Sequence, residues 1–379
     1  MPLRETLSNT WSHIQGFLFP MLREEVGPLT DKHLQIITVL EVARVEAFVQ
    51  AWSGLPGRPP LDRHALARAF TAKAVLALPQ TNMLIERLAV DKALRRLCGW
   101  EWASQVPSES TFSRAFAEFA TSQLPARVHE ALIKKTHADR LVGHISRDST
   151  AIEAREKPVK VEASEPTEPK RKRGRPRKGE VVVKEPRRLE RQASMTLPRM
   201  LAELPTHCAV GAKRNAKGHT ESWIGYKLHV DTADGDVPVS CLLTAASLHD
   251  SQAAIPLASM TALRLSNCYD LMDSAYDAPE IWAKARALGH VPIIDRHPRS
   301  VAGGKAGIKS EARAKRCAGY KTAEDIRYNE RSAAERVNSA LKDSYGGKYV
   351  RVRGAAKVFC HLMFGILALT VEQLMRLIC

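Results

Sequence analysis

The chain has 379 residues, a formal net charge of +16 and a sequence pI of about 9.7. Hydrophobic residues make up 44% of it and charged residues 26%, which is typical of a globular protein, and its length allows two or three domains. The excess of Lys and Arg favours a polyanionic partner, because cations that bind phosphates release condensed counterions. Nucleic acid is the first candidate, and an anionic membrane surface is the alternative.

Three features indicate a cytoplasmic protein. The most apolar stretch, near the C-terminus, is interrupted by His361, Glu372 and Arg376, so we expect a buried core helix or an oligomer contact there and not a membrane span. The N-terminus lacks the basic and apolar regions of a secretory signal. The seven cysteines are scattered and never form CxxC, which indicates neither a disulfide framework nor a zinc site.

Residues 1–137 are predicted to form a helical N-terminal domain for DNA binding or oligomerisation, since apolar residues recur there at helical spacing. In VPSESTFSRAFAEFA, Ser108 or Ser110 can cap a helix whose start carries Thr111, Ser113 and Arg114. This pattern resembles the second helix of a helix-turn-helix motif. A plain helical bundle remains the alternative.

Residues 158–220 differ in composition and are predicted to be a basic, partly disordered insert. Between Lys170 and Arg191 there are 11 Lys or Arg and 3 Glu, so about half of the net charge lies in this segment. Its centre, Arg173-Gly174-Arg175-Pro176, resembles an AT-hook, whose thin backbone fits a narrow A/T minor groove. A nonspecific phosphate-binding tether is the alternative.

Residues 138–157 and 221–379 are predicted to form an α/β catalytic domain. Two paired strands are expected on either side of a turn at Asp234-Gly235, and a βαβ unit over NCYDLMD, APEIWAKARALG and HVPIID. Asp277 and Glu280 have capping-box spacing, with Pro279 in the first turn. Lys227 and His229 share one strand face near the expected site, although a structural role suits His229 better.

Residues 328–342, YNERSAAERVNSALK, predict one amphipathic helix with an unusual polar face. At about 100° per residue, four polar residues fall within roughly 60° of one another. They are Tyr328, Arg331, Glu335 and Lys342. The carboxylate thus has a cation on either side along the stripe, an arrangement that suits a group beside a polyanion, whereas a charged surface helix is the simpler interpretation.

Three carboxylates are candidates for metal binding. Asp273 ends an apolar strand, Asp148 ends another strand-like run, and Glu335 comes from the helix just described. Two aspartates on neighbouring strands and one glutamate on a helix can hold two Mg²⁺ ions about 3.5–4 Å apart, the geometry that serves phosphodiester chemistry. Each has a simpler interpretation as a turn cap, a solvated acid or a surface ion pair.

Together these residues resemble a bacterial insertion-sequence transposase of the DDE class. The group in question has the signature Tyr, two residues, Arg, three residues, Glu, six residues, Lys, which Tyr328, Arg331, Glu335 and Lys342 match without a gap. The blocks HISRDSTAIEAREKP and DLMDSAYDAPEI resemble those around the two aspartates of the family. The likeness covers the helical N-terminal part and the C-terminal half, but not the basic segment.

The resemblance implies an RNase H-like catalytic fold, a mixed sheet flanked by helices, with Asp148, Asp273 and Glu335 as ligands of two Mg²⁺ ions for which Mn²⁺ can substitute. It also implies that Tyr328, Arg331 and Lys342 contact DNA near the scissile phosphate. The expected substrates are the terminal inverted repeats of the element and target DNA. The expected assembly is a homodimer in a synaptic complex in the cytoplasm, associated with the nucleoid.

One departure from the family bears on mechanism. Some members carry a large β-rich insertion before the catalytic Glu, but only residues 274–334 separate Asp273 from Glu335. This leaves no room for the insertion and removes support for the hairpin intermediate associated with it. Two alternatives to a transposase stay open: a nuclease of the same fold that does not join strands, and a DNA-binding regulator derived from a transposase.

Overall fold

The computed structural model describes residues 3–50, 61–138, 140–159, 185–214 and 218–378. The AT-hook-like residues Arg173 to Pro176 lie outside these ranges, so their role stays a prediction. Everything stated below about the fold and its contacts concerns the described residues.

The N-terminal part is helical, as the apolar spacing predicts. Its α-helices are α1 (Leu3–His13), α2 (Phe19–Val26), α3 (Asp31–Ala43), α4 (Arg63–Val75), α5 (Thr81–Val90), α6 (Lys92–Cys98), α7 (Glu109–Thr121) and α8 (Leu124–His137). A π-helical turn at Ile14–Leu18 and 3-10 turns at Val45–Phe48 and Ala103–Gln105 connect some of them.

Helix α7 begins where the sequence predicts, with Ser108 at the N-cap position. The Ser108 side chain makes no cap hydrogen bond, because its hydroxyl lies 3.0 Å from that of Ser110. Ser113 and Arg114 are exposed, but Thr111 is buried, so the exposed start of the helix is narrower than expected. The helix-turn-helix interpretation stays a prediction.

A mixed six-stranded sheet forms the C-terminal part. Its strands are β1 (Leu141–Glu153), β2 (Ala209–Arg214), β3 (Thr220–Ala233), β4 (Val237–Ala245), β5 (Ser266–Met272) and β6 (Val291–Ile294). Their order is β2-β3-β1-β5-β6, and β4 pairs with β3. The pairs β1–β3, β2–β3 and β3–β4 are antiparallel, whereas β1–β5 and β5–β6 are parallel. The sheet therefore changes from antiparallel to parallel at β1.

The helices that accompany the sheet and complete the chain are α9 (Arg188–Gln192), α10 (Leu197–Ala202), α11 (Ser251–Ala262), α12 (Pro279–Ala287), α13 (Gly304–Cys317), α14 (Ala323–Tyr328), α15 (Ser332–Ser344) and α16 (Ala355–Arg376). Two 3-10 turns lie at Ser274–Tyr276 and Asn329–Arg331.

The expected hairpin and βαβ unit are both confirmed. Strands β3 and β4 meet at a turn in which Gly235 and Asp236 have φ of 78° and 59°, positive values that a tight hairpin requires. Strand β5, helix α12 and strand β6 form the βαβ unit, and Gly289 follows the helix with φ of 82°.

The predicted capping box at Asp277 and Glu280 is wrong. Ala278 occupies the N-cap position of α12, and Pro279 does begin the helix. The Asp277 carboxylate instead accepts hydrogen bonds from the side chains of Trp282 and Ser300 and from a backbone N–H. It fastens the segment after β6 to the start of α12.

The single helix predicted over residues 328–342 is also wrong. Tyr328 ends α14, residues 329–331 form a 3-10 turn, and α15 begins at Ser332. The Arg331 carbonyl oxygen accepts a hydrogen bond from the Ser146 hydroxyl of β1 at 2.6 Å, which fixes the turn to the sheet. A 3-10 turn advances about 120° per residue, so Tyr328 is displaced from the stripe that an α-helix would form.

One hydrophobic core joins the helical part to the sheet. Phe70 of α4 packs against Phe112 of α7 and against Phe364 of α16, and the same cluster includes Leu228 of β3. Helix α16 is long and apolar enough to cross a membrane, but 89% of its apolar window is buried inside the protein. The expectation of a buried core helix is therefore confirmed.

Candidate active site

Two of the expected carboxylates lie side by side on neighbouring parallel strands. Ser146 of β1 pairs with Leu271 of β5, and the same register two residues further on brings Asp148 opposite Asp273. Neighbouring strands lie about 4.8 Å apart, so the two side chains share one region at the carboxyl end of β5. The Asp273 carboxylate also accepts a hydrogen bond from the backbone N–H of Ala275 at 2.9 Å.

Both carboxylates resist ionisation. Burial raises the pKa of Asp148 to about 6, and the nearby charge of Asp273 adds to the effect. Burial likewise raises the pKa of Asp273, with further contributions from Asp250 and Asp295. Several acids therefore face one partly buried region with too few cations to neutralise them, which is the situation that a bound divalent cation relieves.

Helix α15 lies beside this pair, but Glu335 does not touch it. The Glu335 carboxylate is more than half exposed and is paired with the Arg331 guanidinium one turn earlier. The residue of α15 that contacts Asp148 is Asn338, whose Nδ2 donates to Asp148 Oδ2 at 3.3 Å. Asn338 Oδ1 is buried and has no hydrogen-bond partner among the described residues.

No group of three His, Cys, Asp or Glu side chains within the described ranges is close enough to hold a metal ion. The structure thus brings Asp148 and Asp273 together, whereas Glu335 on α15 is paired with the Arg331 guanidinium.

The other signature residues line the same region. The Tyr328 hydroxyl donates to Asp295 at 2.6 Å, and the Arg331 guanidinium lies 5.7 Å from the centre of the Tyr328 ring. Burial and the Asp295 contact raise the pKa of Tyr328. Lys342, one end of the stripe, is half-buried; burial and nearby Lys213 lower its pKa.

Sequence reasoning missed two residues at the edge of this site. Asp250, just before α11, accepts a hydrogen bond from the Lys227 ammonium group at 2.9 Å, and it adds to the field at Asp148 and Asp273. The sequence did not indicate Asn338, because its amide is uncharged and lies on the packed side of α15. His229 is fully buried and bonded to Thr244 at 2.9 Å, a contact that favours its structural interpretation.

A buried ion pair holds β1 on the face of the strand opposite Asp148. Side chains alternate between the faces of a strand, so Arg147 lies on the opposite face from Asp148. Its guanidinium donates two hydrogen bonds to Asp231 of β3, at 2.7 and 2.8 Å, and both side chains are at most 2% exposed. Thr261 of α11 donates to the same carboxylate at 2.6 Å. This network fixes the strand that carries Asp148.

Two family models match the chain. A model described as a transposase DDE domain matches residues 143–371, which include β1, β5 and α15 with all three candidate carboxylates. A model described as a transposase domain matches residues 24–118, within the helical part. Comparisons with curated proteins and with solved structures give no significant match.

The first model defines the class: an enzyme that cleaves DNA and transfers strands with the help of divalent metal ions. Since the first model covers more than half of the residues, the chain belongs to the DDE transposase family. It is a DNA transposase of an insertion sequence, a metal-dependent enzyme of DNA cleavage and strand transfer that binds DNA as its substrate. The regulator and nuclease alternatives are not favoured.

Proposed function

We propose that Asp148, Asp273 and Glu335 together hold two Mg²⁺ ions, for which Mn²⁺ can substitute. The observation that carries this proposal is that Asp148 and Asp273 each lie two residues beyond the Ser146–Leu271 pair of β1 and β5, close enough for the charge of Asp273 to raise the pKa of Asp148. Burial raises the pKa of both. The unpaired, buried Oδ1 of Asn338 next to Asp148 further supports a missing positive group or water at this position. Carboxylate oxygens are the donors that Mg²⁺ prefers.

Glu335 reaches the metal region by exchanging partners. In the structure its carboxylate is held by Arg331, and a rotation of the exposed Glu335 side chain is enough to release it. Arg331 is then free to bind a DNA phosphate, the role that we also propose for Lys342. Tyr328 would contact DNA after giving up its bond to Asp295.

The reaction we propose has two steps at one site. Hydrolysis at each end of the element exposes a 3′-hydroxyl, and this hydroxyl then attacks a target phosphodiester in line. Divalent ions held by the three carboxylates would stabilise charge at the scissile phosphate and would activate the attacking oxygen. Asp148, Asp273 and Glu335 orient these groups, whereas Arg331 and Lys342 position the DNA backbone without taking part in bond breaking.

The segment between Asp273 and Glu335 bears on the route of excision. It contains α12, β6, α13 and α14, with a single strand of four residues. The short length expected from the sequence is thus matched by an absence of β-rich structure in residues 274–334, all of which the structure describes. A hairpin route therefore has no support from this part of the chain.

We further propose an RNase H-like fold for the sheet domain, because the acids lie on β1 and its parallel neighbour, where the antiparallel strands give way to parallel ones. Residues 1–137 would bind the terminal inverted repeats or mediate oligomerisation. The predicted boundary of the basic insert at residue 220 is too late, because α9, α10 and β2 precede it and β2 belongs to the sheet. The basic residues before α9 would add a DNA tether. A homodimer would bring two ends together, and gel filtration with end DNA would show two chains per complex.

The test is a cleavage and strand-transfer assay with DNA flanking the gene and Mg²⁺ or Mn²⁺. Asp148→Ala, Asp273→Ala and Glu335→Ala are each expected to abolish cleavage. DNA binding should be largely kept, since no Lys or Arg side chain is removed. Glu330→Gln, which removes an exposed carboxylate from the neighbouring turn, serves as the matched control and is expected to cleave. Unchanged cleavage by the Glu335 variant would refute its assignment as a ligand.

A further inference from the structure

A basic cavity lies between the helical part and the sheet domain, away from the carboxylates. Its volume is about 450 Å³. It is bounded by the end of α4, the starts of α5 and α7, the chain just after β1 and the segment before α16. Five cationic side chains and one carboxylate, Glu109, line it. The cations are Lys73, Arg155, Arg351, Arg353 and Lys357.

These cations are not neutralised by the protein. Within the described ranges none of the five forms an ion pair, although carboxylates elsewhere on the surface pair with Lys and Arg repeatedly. Arg351 and Lys357 make no side-chain hydrogen bond to any described residue. Five cations with the single carboxylate of Glu109 leave an excess of positive charge that is destabilising by itself, and this excess favours an anionic ligand.

Lys73 is the strongest sign of a built site. Its side chain is 6% exposed, and its ammonium group has a single, long hydrogen bond of 3.4 Å to the Pro79 carbonyl oxygen. Burial lowers its pKa to about 8. A buried ammonium group with so little compensation is costly unless a ligand supplies the missing negative charge.

The cavity wall is held in place before any ligand binds. Glu156, which follows β1, accepts hydrogen bonds from the backbone N–H of Gly354 at 3.2 Å and from the Tyr226 hydroxyl. The Arg353 guanidinium donates to the Arg155 carbonyl oxygen at 3.1 Å. The segment before α16 is thus fastened to the end of β1, and its cations are presented from a rigid support.

The cavity and the active site lie along one strand. Asp148 and Arg155 are seven residues apart on and just beyond β1, which at about 3.3 Å per residue corresponds to about 23 Å. Lys342 lies near Glu153, between them along this direction. The Lys342 cation therefore lies between the carboxylates and the cavity. Since duplex DNA advances 3.4 Å per base pair, this distance spans about six to seven base pairs.

We propose that this cavity binds backbone phosphates of the element-end duplex about six to seven base pairs from the scissile bond. The proposal rests on the transposase site described above, because the distance is counted from its carboxylates. Phosphate oxygens would accept hydrogen bonds from Arg351 and Lys357 at the cavity mouth. The Lys73 ammonium group would supply positive potential from within.

A methylphosphonate scan locates the contacted phosphates without requiring catalysis. The end duplex is made with one neutral methylphosphonate at a time at positions 2 to 12, counted from the scissile bond, and its affinity is measured by fluorescence anisotropy with Ca²⁺ present. For the parent, we expect weakened binding at about position six. For the double variant Arg351→Gln and Lys357→Gln, we expect about 10- to 30-fold weaker binding at physiological salt and no further loss at that position.

Lys92→Gln with Lys135→Gln is the matched control, since it removes two exposed lysines that do not line the cavity. It is expected to keep the parental pattern. Lys73→Met is a second variant, which keeps the apolar stem, and its melting temperature shows whether it folds. If the double variant and the methylphosphonate near position six each weaken binding and their losses in binding free energy add up, the proposal is overturned. It is also overturned if the double variant binds the unmodified duplex as tightly as the parent.

The readouts separate this proposal from the catalytic one. Coupling between the cavity variants and the phosphate near position six, with no cleavage by the parent in Mg²⁺ or Mn²⁺, would support the cavity and refute the catalytic assignment. Cleavage by the parent with no such coupling would refute the cavity alone.

Discussion

At the scale of single residues, the burial of Asp148 has a measurable consequence for stability. Its pKa is raised from an ordinary value of 3.8 to about 6. A group whose pKa is higher in the folded protein favours folding while it is protonated, and this advantage is lost as the pH rises from about 4 to about 6. At pH 7 the ionised Asp148 therefore costs stability, which by linkage amounts to about 3 kcal/mol.

We expect Asp148→Asn to raise the free energy of unfolding of the metal-free protein by about 2–3 kcal/mol at pH 7, because it removes the buried charge. The gain should shrink as the pH falls towards 4. Urea denaturation with a chelator at pH 7 and pH 4.5 measures the gain in the free energy of unfolding and its dependence on pH. Glu324→Gln, at an exposed carboxylate, is the control and should give a small effect that is similar at both pH values. A lower stability of Asp148→Asn at pH 7 would contradict this account.

The partner of Glu335 gives a second prediction at this scale. The Arg331 guanidinium forms an ion pair with the Glu335 carboxylate, so it competes with a metal ion for this carboxylate. Arg331→Gln should therefore bind Mn²⁺ about two- to five-fold more tightly in the absence of DNA, because an exposed ion pair contributes about 0.2–1 kcal/mol. The same variant should lose end binding. Calorimetric titration with Mn²⁺ tests the first effect, and Arg336→Gln, at another surface ion pair, is the control. Weaker Mn²⁺ binding by Arg331→Gln would contradict the exchange of partners.

At the scale of elements, the sequence predicted the hairpin, the βαβ unit and the strand end before Asp273. These depend on local patterns, namely apolar runs and turn residues. The expectation that Asp148 ends a strand is wrong, because β1 continues to Glu153. The sequence did not predict that α15 begins at Ser332, because a hydroxyl from β1 holds the preceding turn. It also missed Asn338 against Asp148 and Arg147 against Asp231, since pairing between distant elements leaves no local periodicity.

The buried pair beneath β1 gives a prediction about the sheet. Arg147→Met leaves Asp231 buried without its cation and should destabilise the protein by about 3–5 kcal/mol. Adding Asp231→Leu should recover much of this loss, because no buried charge remains. Urea denaturation of the two single variants and the double variant measures the coupling.

The exposed ion pair of Arg336 and Asp236 is the matched control for the Arg147 and Asp231 variants. It has the same bidentate geometry, but the Arg336 side chain is 52% exposed. Arg336→Met should therefore cost no more than about 1 kcal/mol. Equal losses at the buried and exposed pairs would show that burial does not set the strength of the network.

At the scale of the whole molecule, positive charge occurs in three places that one DNA duplex could contact in turn. They are the signature residues beside the carboxylates, the cavity between the helical part and the sheet, and the basic segment of residues 158–220. The shared hydrophobic core holds the first two in a fixed relation. The basic segment was recognised from composition alone, and its AT-hook-like residues lie outside the described ranges.

The basic segment gives the last prediction. Residues 170–178 contain seven Lys or Arg. Deleting them should weaken DNA binding and lower the slope of log K against log salt by up to about 6, if every cation contacts a phosphate. Cleavage at low salt should persist, because the carboxylates are untouched. Anisotropy titrations between 50 and 200 mM salt measure the slope.

A scrambled segment separates the two interpretations of the same residues. Reordering Arg173-Gly174-Arg175-Pro176 with the charge unchanged keeps every cation but destroys the thin extended core that a minor groove requires. If the segment acts as a nonspecific tether, the scrambled protein should match the parent on A/T-rich and G/C-rich duplexes alike. If it acts as an AT-hook, the scrambled protein should lose affinity on A/T-rich DNA alone, because only that groove is narrow enough to select the native order.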